Sequence, residues 1–232
     1  MKMGVRPNNH SNQLGTSLLQ GIAAHKSNYW VGFVTDPMTA MFLLYWDARV
    51  LRAEPFVLML TYVVGIVSWT LFEYVFHRWV YHRGNTLAHQ GHRMHHESPK
   101  ILISMPWFMT TGFLWLVWYL FGYRWHPQFV LSFLSGLATG FIFYGALHHA
   151  HHHFHMRSPW LRKLNAHHQI HHRFATVNFG VTNRFWDQLF GTAYRKRTEA
   201  ADSSRRAYSF IERLAAAAQA VLSQAGQRIH NN

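Results

Sequence analysis

Three apolar stretches constrain this chain more than any other feature. Residues 56–75 read FVLMLTYVVGIVSWTLFEYV, 20 positions with a single charge at Glu73. Residues 101–121 read ILISMPWFMTTGFLWLVWYLF and residues 129–147 read FVLSFLSGLATGFIFYGAL, 21 and 19 positions without a charge. A helix needs about 20 mostly apolar residues to cross the hydrocarbon core of a bilayer. Three such blocks in a chain of 232 residues are hard to bury without lipid. The sequence therefore predicts an all-α, multi-pass membrane protein with three strong transmembrane helices. A weaker segment at 29–46, YWVGFVTDPMTAMFLLYW, is broken by Asp36 and Pro37. It is counted as a fourth span, with re-entry or a surface position as the alternatives. Gly136, Ala138, Gly140 and Gly145 suit close helix packing in lipid.

Composition narrows the chemistry. The chain has no Cys, which excludes disulfides, Cys-ligated zinc, cysteine-held iron–sulfur clusters and haem–thiolate centres. Only nine acidic residues are present, too few for a site built mainly on carboxylates. Against these stand 20 His, so imidazole is the abundant metal ligand. Four groups stand out: His77 with His82; His92, His95 and His96; a pair within HHAHHHFH; and His168, His171 and His172. Residues at i, i+3 and i+4 of a helix share a face, so each H-x-x-H-H is expected to aim three imidazoles at one place. His77 and His82, five apart, need a helix end or a local distortion to converge. Helical spacing alone does not choose between His149 with His153 and His148 with His152. Ten imidazoles exceed one ion and suit two.

One histidine group follows the first strong segment and the other follows the third, while the second and third segments form a hairpin. Both groups then emerge on one membrane face. That face carries 19 of the 22 Lys and Arg, which makes it the cytoplasmic one. This asymmetry accounts for the net charge of +13, and no nucleic-acid-binding motif is present. Three regions result: a polar N-terminal segment, 1–28, without signal-peptide features; a membrane-embedded domain, 29–195, under a helical His-rich cap; and a basic, Ala-rich tail, 196–232. The tail is expected to form a helix over 207–225, capped by Asp202 or Ser203, with no chemistry assigned.

The motifs EYVFHRWVYH, GHRMHHESP, HHAHHHF, RKLNAHHQIHHRF and NFGVTNRFWDQLFGTAY together resemble the fatty acid hydroxylase / sterol desaturase superfamily over about residues 55–195. The last two are most similar to its fatty acid 2-hydroxylase branch. The resemblance implies metal ligands at His77, His82, His92, His95, His96, His149, His153, His168, His171 and His172. The branch's spacing from His153 through RKL to His168 selects that register. The stretch between His82 and His92 is shorter than in eukaryotic members of the branch. The resemblance implies two iron ions, with zinc able to occupy the site in isolated protein, and O2 as co-substrate. The implied reaction is insertion of oxygen into a C–H bond of a fatty acyl chain, at the 2-position of a free or sphingolipid-linked fatty acid. Implied partners are the lipid, the membrane and a separate electron donor such as cytochrome b5 or ferredoxin with its reductase. The implied location is a bacterial inner membrane or the endoplasmic reticulum.

Alternatives are a carotenoid ring hydroxylase, a sterol-type desaturase or methyl oxidase, and a metal-binding membrane protein or transporter. Glu73, one turn before His77, is read either as a group orienting that imidazole or as a helix-end charge. Asp187 is read as structural. Trp107, Phe108, Trp115 and Trp118 are candidates for lining an acyl path.

Overall fold

A computed structural model describes residues 18–125, 129–196 and 212. The tail helix expected at 207–225 and most of the polar N-terminal segment lie outside these residues. The chain divides into two compact units, Met1–Ala193 and Tyr194–Asn232. All elements below belong to the first. Regular structure among the described residues is entirely helical. A short helical segment at 18–23 leads into α1 (Lys26–Arg49). Then come α2 (Pro55–Val75), continued by a π-helical turn (Phe76–Tyr81), and α3 (Leu87–Glu97). Next is α4 (Trp107–Val117), continued by a second π-helical turn (Trp118–Arg124). The unit ends with α5 (Val130–His153), α6 (Pro159–Arg173) and α7 (Phe185–Leu189).

Two helices, Pro55–Tyr81 and Val130–His153, are long and apolar enough to cross a membrane. Phe56, Met59, Val63, Val64 and Val67 of α2 all face outward. Such a contiguous apolar face requires a non-aqueous surrounding, and the protein is a membrane protein on this account.

The stretch at 101–121 departs from expectation. Its first six residues are not helical, and the apolar helix covers only Trp107–Phe121. Pro106 explains the start, because it disfavours helical geometry at Met105 and has no N–H to give. Those 15 residues rise about 22 Å, short of the roughly 30 Å hydrocarbon core. The weak segment at 29–46, by contrast, lies within an unbroken helix of 24 residues that runs through Pro37.

Backbone contact joins α2 to α5. A Cβ on Gly65 would lie 2.2 Å from the Phe133 carbonyl oxygen, and one on Gly136 would lie 2.1 Å from that of Tyr62. Only glycine permits this approach. Polar groups fasten the other helices. Asp47 of α1 accepts the Ser132 N–H at 2.8 Å, satisfying an otherwise orphan donor in the first turn of α5. Asn28 accepts the Trp107 N–H at 2.9 Å and so caps α4 from a neighbouring helix. These joints bring the ends of α2 and α5 to one side, where α3, α6 and α7 gather.

Candidate metal centre

The histidines converge in two groups. His77, His82, His92, His96 and His171 form the first, and His95, His148, His152, His168 and His172 the second. Within each group, one ligand nitrogen per residue lies within 4.8 Å of all the others. The groups adjoin, with the rings of His96 and His172 stacked at 4.3 Å.

Local structure explains the assembly. Residues five apart lie about 140° apart on an α-helix. The π-helical turn over Phe76–Tyr81 relaxes that angle and brings His77 and His82 into one group, with ring centroids 5.2 Å apart. Helix α3 is capped by the Thr86 hydroxyl, which accepts the His89 N–H at 3.1 Å. Each H-x-x-H-H is divided rather than pooled. His92 and His96 serve the first group while His95 serves the second. His168 and His172 serve the second while His171 serves the first. Neighbours in sequence are about 100° apart on a helix, so one motif reaches two adjoining points.

The register on α5 corrects the expectation. His148 and His152 enter the second group, and His149 and His153 do not. Instead His149 faces α1, its Nδ1 lying 2.9 Å from the Tyr29 hydroxyl, and His153 stacks on it at 4.2 Å. The packing of α5 on α2 sets this register. Gly140 packs on Trp69 of α2, as a Cβ there would lie 2.4 Å from the Trp69 Cβ. His148 lies about 80° around the helix from Gly140, whereas His149 lies about 180° away.

The donor set fits metal ions. Nε2···Nε2 separations are 3.1 Å for His77–His92, 3.0 Å for His82–His171 and 3.0 Å for His92–His96. In the second group they are 3.1 Å for His95–His172 and 2.9 Å for His152–His168. His77 donates its Nδ1–H to the Phe179 carbonyl at 2.5 Å, and His171 donates to that of Val177 at 2.8 Å. A carbonyl only accepts, so in both residues Nε2 carries a lone pair directed into the group. The buried Nε2 of His148 has no hydrogen-bond partner among the described residues. Converging acceptors of this kind are satisfied by a cation. With metal–nitrogen bonds of about 2.1 Å, right-angle neighbours lie about 3.0 Å apart and tetrahedral ones about 3.4 Å. Donors this close together can share one ion within each group.

Burial, the largest cause in each case, lowers the pKa of the cap histidines. His82 falls to about 4, His95 and His171 to about 3, and His172 to about 2. His92, His96 and His168 are also lowered. Neutral imidazole is the form that binds metal. Between these values and about 6.5 the unfolded chain holds more protons than the folded one, so stability rises with pH across that interval. Metal-free protein should melt progressively lower as pH falls from 7 to 4.5. A melting temperature flat over that range would contradict it.

A loop at 177–183 supports the first group through His77 and His171. Glu73 neither touches His77 nor lies at an exposed helix end. Its buried carboxylate accepts the N–H groups of Val181 at 2.5 Å and Thr182 at 2.9 Å, and the Thr182 hydroxyl at 2.6 Å. It thereby holds the loop whose Phe179 carbonyl orients His77. Asp187 grips the same loop through Phe179 N–H and Gly180 N–H, both at 2.8 Å, and accepts from His167 at 2.9 Å. Burial opposes its charge, but the hydrogen bonds from His167, Gly180 and Thr192 outweigh this and hold its pKa below the usual range. A Cβ on Gly180 would lie 2.1 Å from the Asn183 carbonyl oxygen, a backbone atom that cannot yield. Gly180→Ala should therefore destabilise the protein by about 3 kcal/mol and lower its melting temperature by about 10 °C. Thermal melting of the purified variant checks this, and an unchanged midpoint would contradict it.

A cavity of about 190 Å³ opens onto His92, His95, His148 and His152, between α1, α4 and α5. Of the four aromatics singled out from the sequence, only Trp107 lines it. Phe108 and Trp115 are largely exposed, and Trp118 packs against Phe42 and Trp46.

Spanning-length helices that present two adjoining five-histidine groups beside a largely apolar cavity define a class, the helical membrane proteins with a paired histidine centre. The family described as fatty acid hydroxylase matches residues 62–192. The chain belongs to that family. It is 30% identical over 137 residues to dihydroceramide fatty acyl 2-hydroxylase FAH2 of Arabidopsis thaliana, covering 55% of this chain and 58% of the relative. It is 31% identical over 152 residues to ceramide very long chain fatty acid hydroxylase scs7 of Schizosaccharomyces pombe, covering 60% and 44%. The chain thus spans about half the length of these relatives. Its fold is similar to the solved structure of full-length scs7p, in which only the hydroxylase domain is visible. The TM-score is 0.61 at 25% identity, covering 75% of this chain and 69% of the other.

Proposed function

We propose that the protein is a di-iron lipid hydroxylase that inserts one oxygen atom of O2 into a C–H bond of a fatty acyl chain, beside the acyl carbonyl. The observation that carries this reading is the cavity opening onto both histidine groups at once. His77, His82, His92, His96 and His171 would hold one ion, and His95, His148, His152, His168 and His172 the other. Iron supplies the one-electron and O2 chemistry that zinc lacks. The Phe179 and Val177 carbonyls fix the Nδ1–H tautomers of His77 and His171, keeping both Nε2 atoms free for metal. The apolar walls hold the acyl chain and exclude water from the reacting carbon. The overall reaction turns C–H and O2 into C–OH and water, with two electrons and two protons from a separate donor protein, such as cytochrome b5 or ferredoxin with its reductase. We further propose that α1 and α4 cross or enter the bilayer beside α2 and α5, with the histidine face cytoplasmic. The excess of Lys and Arg on that face supports this orientation.

Lipid mass spectrometry of cells expressing the wild type against His168→Ala tests the reading. Hydroxylated acyl chains are expected in the first and not in the second. An identical, unoxidised lipid profile in both, with a working donor supplied, would sink it.

A further inference from the structure

Asp36 is a carboxylate inside an apolar helix, and the proposed reaction gives it no task. It is only 6% exposed. One oxygen is committed to α4, since Oδ1 lies 3.3 Å from the Thr110 hydroxyl and 3.1 Å from that of Thr111. Oδ2 has no hydrogen-bond partner among the described residues. Asp36 lines the same cavity as His92, His95, His148 and His152, and no Lys or Arg lines that cavity. Gly32, one turn earlier, leaves room beside the free oxygen. A Cβ there would lie 3.8 Å from Oδ2 and, its own helix backbone and chain neighbours aside, within 4 Å of no other atom among the described residues. A fastening between α1 and α4 needs only Oδ1, and an ionisable group at this depth is costly unless it meets a ligand.

We propose that Asp36 is a specificity-determining residue whose Oδ2 accepts a hydrogen bond from a hydroxyl or amide N–H of the lipid in the cavity. The inference rests on the lipid reading above. Asp36 and the imidazoles line one cavity, so a lipid that fills it from the imidazoles along α1 meets Asp36. An acceptor there favours a neutral acyl amide whose amine part carries hydroxyls. It disfavours the anionic head of a free fatty acid, which has no donor to offer and repels a carboxylate. Asp36→Asn inverts this. Its carbonyl oxygen keeps the two threonine hydroxyls, so its NH2 replaces Oδ2 as the group facing the cavity. Gly32→Ser reaches the same end without touching Asp36, by giving Oδ2 a hydroxyl donor of its own.

The test measures equilibrium retention of radiolabelled lipids by the metal-loaded, detergent-solubilised full chain. The probes are N-palmitoyl sphinganine, an N-palmitoyl alkylamine without hydroxyls, and palmitate. Wild type should retain the sphinganine amide about tenfold better than palmitate, the size of one hydrogen bond to a charged group. The alkylamine shows whether the N–H or the hydroxyls are read. Asp36→Asn should bring the sphinganine amide and palmitate to near equality, as should Gly32→Ser, which carries the test alone if Asp36→Asn does not fold. An unchanged preference, or an equal loss for all three lipids, overturns the role of Asp36 and leaves the lipid reading standing. Wild-type protein that retains none of the three overturns both.

Discussion

His148→Ala and His152→Ala should each remove one of the two proposed ions per chain and abolish the proposed hydroxylation, whereas His149→Ala and His153→Ala should retain the full metal content. This outcome follows from one turn of α5. His152 Nε2 lies 2.9 Å from that of His168, and the His148 ring centroid lies 4.5 Å from that of His95. Removing either leaves four donors at that point. His149 and His153 belong to neither group: His149 lies against Tyr29 and stacks on His153, at the edge of the cavity. Metal analysis of the four purified variants decides the register independently of any substrate. If His149→Ala lost an ion while His148→Ala kept both, the assignment would be reversed and the fold near residue 150 would have to be rotated by about 100°.

That register shows where the sequence was legible and where it was not. The groups containing His92 and His168 could be read because i, i+3 and i+4 spacing is a local property of a helix. Their division between two points departs from that rule, which placed all three imidazoles on one face, because His95 and His96 are about 100° apart and serve different groups. The choice between His148 and His149 was a tertiary matter. It depends on which side of α5 meets α2, which Gly136 and Gly140 determine through contacts that no spacing rule reveals. Similarly, Glu73 sits one helical turn from His77, which suggested direct contact, yet its partners are residues 181 and 182, more than a hundred positions away. The stretch at 101–121 looked like one continuous helix because composition was counted without the stop that Pro106 imposes. The orienting loop at 177–183 was visible as a motif, but its chemistry lies in main-chain carbonyls, which every residue has.

Asp187→Ala should leave almost no folded protein. The carboxylate is fully buried, and four donors converge on it. Oδ1 accepts from Phe179 N–H at 2.8 Å and the Thr192 hydroxyl at 2.7 Å, and Oδ2 from Gly180 N–H at 2.8 Å and His167 at 2.9 Å. Truncation strands all four, at about 1–3 kcal/mol each, a total comparable with the 5–15 kcal/mol that stabilises a typical domain. Asp187→Asn separates anchoring from chemistry. If its amide nitrogen replaces Oδ1 it opposes the Phe179 N–H, and if it replaces Oδ2 it opposes the Gly180 N–H. The Thr192 hydroxyl and the His167 ring can each turn to accept, but a backbone N–H cannot. One clash therefore remains in either orientation, beside the carbonyl that holds His77. The variant should fold, melt lower than the wild type and bind less metal in the first histidine group, while turnover of the proposed reaction per filled metal site stays near the wild-type value. Melting curves and metal analysis of both variants check this. An Asp187→Ala protein with the wild-type melting temperature would show that the loop is held by something else. Loss of turnover in Asp187→Asn at full metal content would move Asp187 from anchor to reactant.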